Sequence, residues 1–354
     1  MKVLYGVIAF IVLLVIAVFA VPSFIDWNSY KPEITERIEA LTGRKLSIDG
    51  NIEIALLPSP KLRISDARLS NLAGAQSADM VRLQALDLQL VLGPLISGDI
   101  QVSSLTLIDP VIELERLADG RSNWLFTPPP DDVAKIDATG GDFGASDDTS
   151  EADATAISLD WVSIQNGTIA YRDSADNTVE YFQHLNGTLS AKSLDGPFRG
   201  DGSLEVRGLK TSFQLASGRK REDGHMPVSF KVQLGKELAE LDFDGRIFTH
   251  GTRSEGSGTL RASGPNLAAL AEAIGIGSAQ SLASDNFSLK AEAVLLETGL
   301  TLKELQFRLG ETQANGSISY LAETPARLDV ALKINRFDLD KIAGLDNFCW
   351  PDPI

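Results

Sequence analysis

Val81-Arg-Leu-Gln-Ala-Leu86-Asp-Leu-Gln-Leu90-Val-Leu92 is the stretch on which the reading of this chain turns. Val81, Leu83 and Ala85 alternate with polar residues, and Leu86, Leu88, Leu90 and Leu92 then alternate in the opposite phase. A period of two marks a half-buried strand. One change of phase inside it calls for a β-bulge, an irregularity that keeps the apolar side chains on one face. The same change separates Ile100-x-Val102 from Leu105-x-Leu107. Two such kinks in successive strands predict a curved sheet.

Upstream, Leu46, Ile48, Ile52 and Ile54 alternate with Ser47, Asp49, Asn51 and Glu53, and Leu62 and Ile64 resume after Pro58-Ser-Pro60, so strands are expected there too. Before them, Ser29 and Pro32 start a helix with Ile34, Ile38 and Leu41 on one face and Gly43 as its stop. Downstream, Ile112 and Leu114 lead to Asp119-Gly120, a hairpin signal before Trp124 and Phe126. Past residue 156, Ile157, Leu159 and Trp161 alternate up to Asn166-Gly167, read as a turn into Thr168 to Tyr171. Short strands then recur to Ile334, interrupted by a helix from Asn266 to Ile274 that Gly275 ends. The expected class is mainly β. A weak echo 72 residues apart, Leu267-Ala-Ala-Leu270 against Leu339-Asp-Lys-Ile342, fits an internal repeat or a coincidence between two short amphipathic helices.

Residues 3 to 21 are nineteen consecutive uncharged, almost wholly apolar residues. As a helix they span roughly 28 Å, close to the hydrocarbon thickness of a bilayer. Residues 1–25 are therefore read as a transmembrane anchor. A cleaved signal peptide ending near Val18-Phe-Ala20 is the alternative, and the length of the apolar run favours the anchor. Lys2 on one flank faces Lys31, Arg37, Arg44 and Lys45 on the other, so flanking charge leaves the orientation open.

The net charge of −16 argues against nucleic acid as a partner. Cys349 is the single cysteine, which excludes an intramolecular disulfide and a cysteine-built metal site. His184, His225 and His250 are far apart, and no Gly-x-Ser-x-Gly elbow or phosphate-cradling loop occurs. No metal, cofactor or catalytic residue is nominated, and no enzyme is expected. Asn166-Gly-Thr, Asn186-Gly-Thr and Asn315-Gly-Ser match the glycosylation pattern, but Asn-Gly equally suits a turn or a strand edge. Between 127 and 156, eight carboxylates stand against Lys135 alone, behind Pro128-Pro-Pro130. That composition cannot build a core, so the segment is read as an acidic disordered linker. Its deletion is expected to shift the thermal midpoint by less than about 4 °C, and a larger fall would mean that it packs.

The helix Tyr30-Lys-Pro-Glu-Ile to Gly43-Arg-Lys, the stretch Val81 to Gly98, the run Leu105-Thr-Leu-Ile-Asp-Pro-Val-Ile-Glu-Leu to Asp119-Gly-Arg-Ser-Asn-Trp124, and then Gln165-Asn-Gly-Thr-Ile-Ala-Tyr171, Leu185-Asn-Gly-Thr-Leu-Ser-Ala191 and Asp195-Gly-Pro-Phe198 together resemble the AsmA family, over most of the chain to about residue 345. The resemblance implies a bacterial protein anchored once in the inner membrane with its body in the periplasm, similar to chorein-type bridge-like lipid-transfer proteins. It implies an elongated, curved antiparallel sheet, a groove polar outside and apolar inside, that binds phospholipid acyl chains and supports outer-membrane phospholipid homeostasis and integrity. A scaffold that aids assembly of outer-membrane proteins, through contact with other envelope proteins, is the alternative. Leu83, Leu86, Leu88, Leu90, Leu92, Ile100, Val102, Leu105 and Leu107 become the candidate groove residues. The expected layout is an anchor (1–25), an N-terminal β unit with its leading helix (26–126), the linker (127–156) and further groove repeats (157–354). Phe348-Cys-Trp-Pro-Asp-Pro-Ile354 stands where the resemblance implies more repeats, so a truncated or frameshifted chain is expected.

Overall fold

A computed structural model describes residues 26–55, 59–91, 93, 102–126, 161–174, 177–191, 193, 195–250, 253–275, 285–296, 299–321 and 327–335. The expected anchor, the linker, Leu92, Ile100, the helix echo after Asn335 and the C-terminal stretch lie outside these residues. Among them, no helix is long and apolar enough to cross a membrane. The protein is mainly β, with seventeen strands among the described residues, and it divides into two compact units, Met1–Ser193 and Leu194–Ile354.

The first unit opens with a 3-10 turn, Trp27–Tyr30, capped by the Asp26 carboxylate accepting from the Asn28 amide at 3.1 Å. Helix α1 (Lys31–Thr42) follows directly, with Pro32 in its first turn and Gly43 at φ 66° ending it. Asp26 thus caps the 3-10 turn, and α1 itself starts from Tyr30 without a side-chain cap, so Ser29 does not fill that role. Then come β1 (Leu46–Ile48), β2 (Ile52–Ala55), β3 (Lys61–Ser70), β4 (Asp79–Leu90), β5 (Val102–Ile108), β6 (Val111–Arg116), β7 (Trp161–Asp173) and β8 (Thr178–Ala191). β1 and β2 share the outer side of β3, and β4 pairs antiparallel with β3. β5 and β6 both run antiparallel to β4 and are two pieces of one path broken at Asp109-Pro110. β7 lies parallel to both pieces, and β8 returns antiparallel. The sheet is thus mixed where an antiparallel one was expected. The reason is the long connection from Leu117 to residue 160, which permits the crossover that parallel strands require.

The phase change in β4 brings Leu83 and Leu86 to one cluster, but without the expected bulge, since β3 and β4 keep register from Ser65–Ala85 to Ala67–Leu83; it belongs to a line of breaks that crosses this sheet. Asp66 in β3, Asp109 between β5 and β6, Asn166 in β7 and His184 in β8 all have φ between 47° and 52°. The register sets Asn166 next to Asp109, and the Asn166 amide donates to the Asp109 carboxylate at 2.6 Å while its oxygen lies 3.2 Å from His184 Nδ1. Asn and Asp tolerate the left-handed region better than most residues. Asn166-Gly167 is therefore not the expected hairpin turn: β7 runs straight through it as a bulge. A Cβ on Gly167 would stand 2.9 Å from Ile164 and 3.1 Å from Pro110, which is why glycine sits there. The second expected kink is present, since Gln89 pairs with Ser104 but Leu90 with Val102, leaving Ser103 as the extra residue. Asn166→Ala is expected to lower stability by about 1–2 kcal/mol, through the lost bond and the strained φ, and Asn166→Gly by less. Thermal unfolding of the two variants checks the order.

The second unit is an antiparallel meander of nine strands, each paired with the next: β9 (Phe198–Val206), β10 (Leu209–Ser217), β11 (His225–Leu234), β12 (Ala239–His250), β13 (Arg253–Gly264), β14 (Phe287–Leu296), β15 (Gly299–Leu309), β16 (Thr312–Leu321) and β17 (Arg327–Ile334). Helix α2 (Leu267–Ile274) interrupts it, capped by the Asn266 side chain and stopped by Gly275 as read from the sequence. Phe213, Val232, Leu241, Ala262, Leu289, Phe307 and Ala314 form one cross-strand row, while Lys231, Asp242, Arg261 and Lys290 face the other way. This alternation gives each strand one apolar and one polar face.

Candidate functional site

Strand register in the first unit assembles two apolar rows. One runs Ile52, Ile64, Leu86, Leu107, Ile164; the other runs Ile54, Leu62, Leu88, Leu105, Val162, Leu189. Leu90 and Val102 add a flanking pair. Directly opposite apolar pairs contribute about 0.2–1 kcal/mol each, so the rows help to fix the register. They differ in cover. Ile52, Ile64 and Ala67 are buried, with Trp27, Ile34, Ile48, Leu62, Leu83 and Leu86 packed around them. Leu88, Leu90, Val102, Leu105, Leu107, Val162 and Ile164 are only half-buried, and Leu189 is exposed.

The candidate residues therefore separate into two groups. Leu83 and Leu86 reach the same closed cluster from either side of the break, so part of their surface is core. Leu88, Leu90, Val102, Leu105 and Leu107 share one open face of β4 and β5. Leu92 and Ile100 are outside the described residues. Between them, the five open residues and Val162 and Ile164 make a continuous apolar strip. Neither row carries an ionisable side chain.

One end of the unit holds a polar cluster that the sequence reading did not anticipate. Asn123 is fully buried. Its side chain accepts from the Glu115 amide at 2.9 Å and donates to the Glu113 carbonyl at 2.7 Å and to Asn71 Oδ1 at 2.9 Å. Its backbone carbonyl accepts from Arg44 Nη2 at 3.0 Å. Glu115, also buried, receives the Gln76 amide and the Ser174 hydroxyl, each at 2.9 Å. Burial pulls the Arg44 guanidinium below the usual arginine range, and the Phe126 ring lies 6.0 Å from it. The only sequence signal was the run Asp119-Gly-Arg-Ser-Asn123-Trp, read there as a hairpin. The structure keeps the turn at Asp119-Gly120 but follows it with a single bridge, Arg116 to Ser122, and no strand through Trp124 and Phe126. The cluster ties this turn to the loop after α1.

Among the described residues, no group of three or more His, Cys, Asp or Glu side chains is placed to hold a metal ion.

Comparison with known proteins gives a consistent assignment. The AsmA family profile matches residues 1–312. The AsmA family protein YhjG of Escherichia coli (strain K12) is 26% identical over 136 residues, 35% of this chain and 20% of that protein. The matched part thus spans about a fifth of that relative's length. No solved structure matches.

Proposed function

The chain belongs to the AsmA family, and from that premise we propose that it binds phospholipid acyl chains on the open apolar face of its sheet. In this reading it is a lipid-binding or lipid-transfer protein of the bacterial envelope, held once in the inner membrane by residues 1–25 with its body in the periplasm. It supports outer-membrane phospholipid homeostasis and integrity. Its role is binding and not catalysis.

The observation that carries the reading is the half-buried strip of Leu88, Leu90, Leu105, Leu107, Val162 and Ile164. Soluble proteins rarely leave a contiguous apolar surface of this kind uncovered unless something binds there. Each methylene taken from water onto it contributes about 0.8 kcal/mol, so two acyl chains outweigh the cost of ordering them. The full chain, purified in detergent and exchanged against fluorescent phospholipid, should retain the label through gel filtration. Failure to retain it would remove the proposal.

One observation favours a second reading, a scaffold that assists outer-membrane protein assembly. Every residue of β17 is exposed, including Leu328, Val330, Leu332 and Ile334; among the described residues its ladder is with β16 alone, and an edge of this kind is a template for another strand. A cross-link from Val330 to an outer-membrane protein, found in a chain that retains no lipid, would select it.

A further inference from the structure

The outer edge of β17 has a sequence that is complementary to itself. Leu328, Val330, Leu332 and Ile334 stand opposite Tyr320, Ile318, Gly316 and Ala314 of β16, while Arg327, Asp329, Ala331 and Lys333 face the other way. The four apolar side chains are exposed. Beyond the end of β17, the Asn335 amide donates to the Gln313 carbonyl at 3.0 Å. In an antiparallel ladder such bonds recur at every second residue. The odd-numbered residues of β17 therefore turn their amides and carbonyls to β16, and Leu328, Val330, Leu332 and Ile334 turn theirs outward.

A second copy of β17 can pair along this edge about a two-fold axis, and parity restricts the register. Directly opposite residues share a face, so the axis passes through a residue and not between two. On Ala331 it sets Asp329 of each copy opposite Lys333 of the other, Val330 opposite Leu332, and Leu328 opposite Ile334. On Val330 the overlap is as long, but Arg327 then faces Lys333, and like charges directly opposite are destabilising. Any other choice shortens the overlap. Asp329 is held at 2.9 Å by Arg327 of its own strand, whereas among the described residues Lys333 forms no ion pair. With the axis on Ala331, the outward-turned residues exchange backbone hydrogen bonds, and Asp329 meets Lys333 at the intervening positions, where opposite side chains come closest.

We propose that two copies of this chain pair edge to edge through β17, antiparallel, with Ala331 on the two-fold axis. The axis stands normal to the sheet, so the apolar faces of the two second units lie on the same side. The row of Leu328, Val330, Leu332 and Ile334 then continues into its own copy, and the apolar surface runs on from one chain to the next. Neither the lipid reading nor the scaffold reading is a premise of this assignment. A dimer that takes up no lipid would leave it standing, and lipid uptake by a strict monomer would remove it alone.

Sedimentation of the full chain in detergent, over a range of concentrations, reads the association, and disulfide trapping reads the register. The parent should pass from monomer to dimer as concentration rises. Lys333→Glu, on an exposed side chain, should leave the fold intact and raise the dimer dissociation constant about tenfold, the scale of two cross-strand charge pairs turned repulsive. Asp329→Lys/Lys333→Glu, which restores opposite charges across the axis, should recover most of that loss. In a Cys349→Ser background, Ala331→Cys should oxidise to a covalent dimer, since residues on the axis come within disulfide range. Val330→Cys, offset from its own copy, should stay at background. A parent that is monomeric at every concentration overturns the proposal, as does a dimer that Lys333→Glu does not weaken. Equal trapping from 330 and 331 overturns it too.

Discussion

Leu88→Asp/Leu90→Asp is expected to abolish most phospholipid uptake while leaving the first unit folded. Both leucines are half-buried, and both lie on the face that Leu62, Leu105 and Val102 share across β3 and β5. A carboxylate placed there is wet in the empty protein. With hydrocarbon laid over it, the same carboxylate must be stripped of water at a cost of several kcal/mol. The penalty thus falls on the loaded state. A sealed core would behave oppositely, since the charge would be buried with or without lipid and the unit would unfold. Leu88→Gln separates the cases at lower cost: an open face should lose little thermal stability, whereas a closed core should lose about 2–5 kcal/mol. A folded double variant with undiminished uptake would remove this face from the binding surface.

Asn123→Leu is expected to be the most destabilising single change in the first unit. It leaves the Glu115 amide and the Glu113 carbonyl without the partners they have at 2.9 Å and 2.7 Å, in a site where Asn123 is fully buried. Each orphaned buried group costs about 1–3 kcal/mol. The sum is about 3 kcal/mol or more, a fall of roughly 6–12 °C in the thermal midpoint of a unit this size. Arg44→Met should cost less, because it removes a desolvated cation along with its bond to the Asn123 carbonyl at 3.0 Å. A midpoint within 3 °C of the parent for Asn123→Leu, a shift of about 1 kcal/mol at most, would show that water replaces the lost side chain.

How far the fold could be read from the sequence follows from the range of the interactions that set it. The phase changes at Ala85-Leu86 and before Leu105 are local patterns, so the sequence could show which residues of each strand share a face, while the pairing of Leu86 with Leu107 and of Leu88 with Leu105 came only from the structure. Helix α2 was equally legible, since Asn266 and Gly275 act within one turn of the residues they cap. Asn166-Gly167 was misread because asparagine at positive φ serves a two-residue turn and a bulge alike, and only the neighbouring strand tells them apart. That neighbour, Asp109, is 57 residues away. The parallel pairing of β7 was hidden for the same reason, as was the Arg44–Asn123 contact, 79 residues apart in the chain. Burial was the least legible property: alternation could not reveal that Leu83 and Leu86 close on Ile52, Ile64 and Ala67 while Leu105 and Leu107 stay open.

In the lipid-binding reading one face of β5 touches hydrocarbon and the other does not. Leu105 and Thr106 are adjacent and point to opposite faces, Leu105 pairing with Leu88 and Thr106 with Asp87. A photo-activatable aromatic residue placed at 105 or at 106 in the full chain, irradiated in cells and analysed by mass spectrometry, reads the contacts directly. Cross-links to phospholipid from position 105 and none above background from position 106 are the predicted result. Equal labelling from both positions, or labelling from 106 alone, would contradict it.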